Sequence, residues 1–284
     1  MKIFQPQYQC MRGQPVTLDH PSGWPSDEYP NSDTYGYHDF YELEYFEKGE
    51  GTHYINGVPF RVQPGYLYLL IPGDFHCMQL DTQQEYNLWN LKISVDTPDR
   101  ELIRELEQFP RPLCVCLQED GAAFFEKELN FLHSCLHDGA WNSRMVKNSA
   151  DRLLTVLHTA LLKKRPAVPI RNDGPLMDLI DTVEKNYPKD ISLAQAAAQL
   201  GLSENYIGIY FKKHTGLCFT DYLNRTRCFH AAQLLRETNC SVKEISFAVG
   251  FHAPEYFSRK FRALFGVSPE KYRKNICSAD AGAG

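Results

Sequence analysis

Residues 241–274, SVKEISFAVGFHAPEYFSRKFRALFGVSPEKYRK, decide the fold, because residues 192–216, SLAQAAAQLGLSENYIGIYFKKHTG, follow the same pattern. Leu193, Ala196, Leu200, Gly201 and Leu202 recur as Val242, Ile245, Val249, Gly250 and Phe251, about 49 positions later. Tyr206, Ile207, Phe211, Lys212, Gly216 and Tyr222 recur as Tyr256, Phe257, Phe261, Arg262, Gly266 and Tyr272, about 50 positions later. In each copy a serine, Ser192 or Ser241, is placed to cap a short helix, and Gly201 or Gly250 supplies the left-handed residue of the turn that follows. Ser203 caps the next helix of the first copy, and Pro254 suits the first turn of its counterpart. Ile207, Tyr210 and Phe211, then Phe257 and Phe261, turn inward. Each copy reads as a helix-turn-helix, and a tandem of such units has one common use, binding DNA.

Phe219–Glu237 predicts a single helix of some 19 residues between the copies, about 28 Å long at ~1.5 Å per residue. That is close to the ~34 Å between successive major-groove openings on one face of DNA. The outward positions of the two recognition helices are Asn205, Gly208 and Ile209, and Glu255, Ser258 and Arg259. Gly208 brings no side chain and Ile209 reads little beyond a thymine methyl, so Arg259, able to grip guanine with two hydrogen bonds, is the main discriminator. Lys212, Lys213, Lys260 and Arg262 are assigned to phosphates, which orient without specifying. Arg227, mid-way along the linking helix, is assigned to a structural ion pair.

Upstream, residues 175–187 form a helical pattern with Leu176, Leu179, Ile180 and Val183 on one face. The basic, proline-bearing stretch 163–169 stops the preceding helix and marks a domain boundary. Helical spacing covers residues 99–109, 122–137 and 148–164. The front third alternates apolar runs, such as residues 40–46 and 66–71, with turns at Lys48-Gly49-Glu50-Gly51, Asn56-Gly57, Gln63-Pro64-Gly65 and Pro72-Gly73-Asp74. The expected fold is α+β in two domains: a β-barrel or jelly roll over about 1–97 with helices to 165, a linker at 166–174, an all-α domain at 175–276 and a flexible tail at 277–284. Burial of the 148–164 stripe against the barrel and use of it in a dimer are both open.

The net charge of −5 is unevenly spread. Residues 175–276 carry 14 Lys and Arg against 10 Asp and Glu, while residues 1–174 carry 16 against 24. Only the C-terminal domain is suited to a polyanion. Nine cysteines without paired metal spacing, a polar start and the lack of a long apolar run suggest a cytoplasmic protein with reduced thiols and no membrane partner.

The two repeats together resemble the AraC/XylS family of bacterial transcription regulators. The resemblance is carried by Gly250-Phe251, Tyr256-Phe257, Phe261, Phe265-Gly266 and Pro269-x-x-Tyr272-Arg273, and in the first copy by residues 192–216 with FTDYLNRTRCFHAAQLL after them. It implies double-stranded promoter or operator DNA as a partner, with bases faced by Asn205, Gly208 and Ile209 and by Pro254, Glu255, Ser258 and Arg259. It also implies a homodimer, with RNA polymerase as a further candidate partner.

Residues 37–78 resemble the cupin-type effector domain found ahead of the DNA-binding domain in many members. Cupins often hold a metal through HxHxxxE and a later His. Here Gly36 takes the first His position, leaving His38, Glu42 and His76, so no metal or other cofactor is assigned and these groups are expected to hydrogen-bond a small polar effector. Tyr35, Tyr41, Asn87 and Trp89 complete the effector set, since aromatic faces beside hydrogen-bonding groups suit a sugar; Asn87 and Trp89 are placed in the pocket by resemblance to sugar-responsive members. His53, beside a hairpin, is expected to be exposed. No catalytic residue is assigned. A metal-dependent cupin enzyme with an appended DNA-binding domain and an effector-independent regulator remain alternatives.

Overall fold

The computed structural model describes residues 7–9, 14–26, 31, 36–109, 111–137, 142–163 and 174–280. Tyr35 and residues 166–173 of the expected linker lie outside that set.

The N-terminal domain is a two-sheet β structure. Its strands are β1 (Gln7–Gln9), β2 (Val16–Asp19), β3 (Ser22–Gly23), β4 (Gly36–His38), β5 (Tyr41–Lys48), β6 (Gly51–Ile55), β7 (Val58–Val62), β8 (Tyr66–Leu70), β9 (Phe75–Leu80), β10 (Tyr86–Ile93) and β11 (Leu113–Cys116). One sheet runs β1-β4-β9-β6-β7 and the other β11-β8-β5-β10-β2, with β3 also on β10. Asn56 and Gly57 join β6 to β7 with φ of 52° and 82°, the two positive angles that a tight two-residue hairpin turn requires. The Asn56 side chain then donates to Asp74 Oδ1 at 2.8 Å and accepts from the Phe75 backbone N–H, tying the hairpin tip to the β8–β9 turn.

Period-two alternation along β5 sorts its side chains onto two faces. Tyr41, Leu43 and Tyr45 face a layer of helices, α1 (Arg100–Leu106), α2 (Glu119–His137) and α3 (Ser143–Lys163). Leu153, Leu154, Leu157 and Leu161 of α3 are buried in that layer, while Leu162, Phe124 and Phe131 remain exposed. Phe46 instead enters the interior between the sheets with Phe60, Tyr68 and Phe75. Two helix starts lie earlier than the sequence suggests: α2 begins three residues before 122 and α3 five before 148. The short strand β11, paired with β8, follows α1 directly after Arg111-Pro112.

The C-terminal domain is all helical: α4 (Gly174–Asn186), α5 (Leu193–Gln199), α6 (Glu204–Thr215), α7 (Phe219–Glu237), α8 (Val242–Ala248), α9 (Pro254–Phe265) and α10 (Pro269–Asp280). Ser192 with Gln195, and Ser241 with Glu244, each form a reciprocal capping box. Ser203 accepts from the Tyr206 backbone N–H at the start of α6. Both recognition helices end on a left-handed glycine, Gly216 at φ 74° and Gly266 at φ 76°. The last helix reaches Asp280, four residues into the stretch expected to be a flexible tail; at its start the Ser268 hydroxyl accepts from the Lys271 backbone N–H and the Tyr272 hydroxyl accepts from Arg236.

Candidate functional site

Burial divides each recognition helix into a packed side and an open side. Ile207 and Phe211 on α6, and Phe257, Phe261 and Phe265 on α9, are buried. Asn205, Ile209, Lys212 and Lys213 are exposed, as are Glu255, Arg259 and Arg262, and Pro254 and Ser258 are half-buried. Ile209 is 64% exposed. A Cβ on Gly208, one of the expected outward positions, would lie 3.1 Å from Leu193 Cδ2, so the glycine lets α5 and α6 pack closely. Lys260 is also not a free cation. Its Nζ pairs with Asp221 at 3.0 Å and lies over the Tyr256 ring, which ties α9 to the start of α7.

The expected ion pair of Arg227 is replaced by carbonyl contacts. Its guanidinium donates to Tyr187 O at 2.7 Å and Lys189 O at 2.9 Å and lies over Phe251, so it fastens the α4–α5 connection to α7 and the second unit. The same helix also meets the N-terminal domain. Arg225 donates to Gly73 O at 2.6 Å and lies over Phe75, whose ring meets Tyr222 edge-on. Arg111 stands between Asp74 and Glu184, at 3.8 and 3.7 Å. A cleft of about 510 Å³ opens at this seam, with Val58 and Phe60 on one side and Met177 and Ile180 of α4 on the other.

The six described residues of the expected effector set do not line one pocket. His38, Glu42 and His76 point into the space between the sheets, whereas Tyr41 and Trp89 point the other way, into the helical layer. The reason is register: Glu42 is one residue from Tyr41 on β5, and Trp89 stands opposite Tyr45 on the outward face. On that outward face Glu47 accepts from Trp89 Nε1 at 2.8 Å and from Asn87 Nδ2 at 2.5 Å, and approaches His20 Nε2 at 3.2 Å. The His20 ring stacks on the Trp89 indole at 3.5 Å, and His133 of α2 meets the indole edge-on.

The inner group is larger than the sequence suggests. His53, expected at the surface, is fully buried, with Nε2 3.0 Å from His76 Nδ1 and Nδ1 3.4 Å from Glu44 Oε2. Glu42 Oε2 meets His38 Nε2 at 3.0 Å and His76 Nε2 at 3.1 Å, while Asn90 donates to Oε1. Burial alone raises the Glu42 pKa, but His76 and His38 outweigh it and hold the carboxyl well below its ordinary range. His76 is desolvated, which lowers it, yet Glu42 carries it above the usual imidazole value. Glu44 is pushed up to about 8 by burial, with Glu42 adding to the rise against His76. His53 is held well below its ordinary value by burial and by His76. One charged pair therefore sits beside a neutral one. The sequence signal for Glu44 is its place two residues from Glu42 on one strand face. Nothing local marks His53, whose contact depends on the pairing of β6 with β9.

Residues 26–127 match the model of the AraC-like ligand-binding domain, and residues 196–275 match that of a helix-turn-helix domain. The "HTH-type transcriptional activator RhaS" of Salmonella schwarzengrund is 27% identical over 250 residues, covering 84% of this chain and 86% of the relative. The chain belongs to the AraC family of DNA-binding transcription regulators. Its relatives' activator names go with a regulator rather than an enzyme. Among solved structures, this AraC-family chain is similar over its C-terminal third to the C-terminal domain of the response regulator yesN from Fusobacterium nucleatum, with 34% identity over 34% of this chain and 93% of that one and a TM-score of 0.32. It is also similar to ToxT from Vibrio cholerae, with 15% identity over 92% of this chain and 98% of that one and a TM-score of 0.39. No described helix of this AraC-family protein is long and apolar enough to cross a membrane.

Proposed function

We propose that this AraC-family regulator works as a homodimer that sets α6 and α9 into neighbouring major grooves, and that it answers to a sugar held on the outward Trp89 face of its effector domain. The observation that carries the DNA reading is the sidedness of α6 and α9: each buries one stripe and leaves Asn205 and Ile209, or Pro254, Glu255, Ser258 and Arg259, towards solvent, with α7 between them. Lys212, Lys213 and Arg262 flank these faces and serve phosphates, and Lys260 steadies α9 through Asp221. The functional division is an effector domain over residues 1–165, a linker over 166–174 and a DNA-binding domain over 175–276.

The sugar reading rests on Trp89, Asn87 and Glu47. An indole face beside a carboxylate and an amide matches the apolar face and hydroxyl rim of a pyranose. His20 covers that indole, and a sugar would take its place. Exposed Phe124, Phe131 and Leu162 on α2 and α3 support the homodimer, and the activator names of the relatives support RNA polymerase as a partner. Thermal unfolding across a sugar panel, read beside Trp89→Phe, tests the effector. A ligand-dependent shift that Trp89→Phe abolishes is expected; no shift with any sugar leaves an effector-independent regulator.

A further inference from the structure

The second helix-turn-helix unit holds one aromatic ring in a way the first does not. Tyr256, in the first turn of α9, is half-buried, and its ring meets Phe251 at 6.0 Å between centroids. Its hydroxyl accepts from Asn224 Nδ2 of α7 at 3.2 Å. Asn224 is 5% exposed, and a buried amide is costly without a hydrogen bond, so this contact satisfies the amide while it ties the ring to α7.

Two cations lie over that ring. The Arg259 guanidinium carbon is 5.2 Å from its centroid and Lys260 Nζ is 5.7 Å away, both inside the ~6 Å over which a cation is attracted to an aromatic face. The spacing is helical, since residues three and four positions after Tyr256 are its neighbours on the surface of α9. Lys260 is held a second time by Asp221 at 3.0 Å. Arg259 is exposed, and the ring draws its head back towards the start of the helix. In the first unit the equivalent ring, Tyr206, is 53% exposed, with Ile209 and Tyr210 three and four positions later, and it stacks on Tyr210 at 6.0 Å. The cation-holding ring is a property of the second unit.

A long arginine side chain loses rotamer freedom when it grips a base, and a contact that already orders it in the free protein removes part of that cost. We propose that Tyr256, held by Phe251 and Asn224, is a positioning residue that keeps the Arg259 guanidinium over the N-terminal turn of α9, the end of a recognition helix that meets base edges, which rests on the reading of Arg259 as the arginine that contacts a base. Without the ring the contact is still possible but no longer pre-ordered, so discrimination falls without vanishing.

The test uses the full chain. Its preferred site is selected from a pool of random duplexes, and affinities for that site, for its single-base-pair variants and for random duplex are read by fluorescence anisotropy. Tyr256→Leu should lower the preference at the base pair that Arg259→Ala relaxes by about 2- to 5-fold, with affinity for random duplex unchanged. Tyr256→Phe, which keeps the aromatic face, should stay within about twofold of wild type. In an Arg259→Ala background, Tyr256→Leu should change the preference no further, a non-additivity that general loss of structure does not produce. Because a half-buried ring also packs, NMR of the free wild-type chain supplies a second measurement. The Arg259 δ protons, identified by their loss in Arg259→Ala, are expected upfield of the ordinary arginine position, since the ring face shields them. Wild-type preference in Tyr256→Leu, equal loss on selected and random duplex, a loss that adds to that of Arg259→Ala, or an unshifted Arg259 signal overturns the positioning role. Arg259→Ala with no relaxed base pair overturns the base-reading role of Arg259 itself, and the positioning role with it.

Discussion

In the first helix-turn-helix unit, Ile207 and Phe211 belong to a core that also contains Phe46, Phe60 and Phe75 of the effector domain; in the second, Phe257 and Phe261 pack with Phe251, Phe265 and residues of α7. A Cβ on Gly57, at the β6–β7 hairpin tip, would lie 2.5 Å from the His214 carbonyl oxygen of α6, and no comparable contact reaches α9 among the described glycines. The scaffolds are otherwise alike, with matching capping boxes and glycine C-caps. The two units are therefore anchored differently: the first shares its core with the N-terminal domain, while the second has its own core and an exposed Arg259, so the proposed function makes the first the unit that feels changes in the effector domain and the second the one that reads bases.

The sharpest way to break this comparison is Phe75→Ala. Removing a fully buried ring that meets both Arg225 and Tyr222 should cost about 3–5 kcal/mol, and hydrogen exchange should show α6 losing protection along with β9 while α9 keeps its own. Equal loss in α6 and α9 would mean that the units share one core. The turn glycines give the next contrast. A Cβ on Gly250 would meet Pro188 O at 2.7 Å at a φ of 94°, whereas Gly201, at φ 66°, has open space. Gly250→Ala should therefore cost about 3 kcal/mol, and Gly201→Ala about 1 kcal/mol, in urea unfolding.

DNA binding sharpens the division further. Arg259→Ala should lose about 1–3 kcal/mol on specific DNA and relax preference at one base pair, with Ile209→Ala losing less. Lys213→Ala should weaken all sequences alike and reduce the salt slope by about one. Equal losses on specific and random DNA for Arg259→Ala would contradict its role. The smallest effect concerns the seam. Burial raises Glu184, but His230, whose Nε2 lies 3.9 Å from the carboxylate, and the charge of Arg111 outweigh it and hold the carboxyl below its ordinary 4.5. A depressed carboxyl contributes stability that is complete above pH 4.5 and is lost as pH falls through the folded-state value. Glu184→Gln should make the acid limb of the stability profile shallower by less than about 1 kcal/mol, measured by urea unfolding from pH 6 to 3.

Much of the helical domain was legible because local signals agree with the fold. Ser192, Ser203 and Ser241 cap where their spacing places them, and α7 spans Phe219–Glu237 as its apolar pattern requires. The Asn56-Gly57 turn was equally clear. The effector site was less so. Whether Tyr41 or Glu42 faces inward is a question of strand register, and a shift of one residue exchanges the faces. His53 became visible only once β6 had paired with β9.

Hydroxyl-radical footprinting of the full chain on operator DNA tests the central claim most directly, that two units joined by α7 enter neighbouring major grooves from one side. The account predicts two protected patches per chain on one face of the duplex, about 10 base pairs apart, with Arg259→Ala fading only the patch under α9. A single protected groove, or two patches on opposite faces, would contradict it.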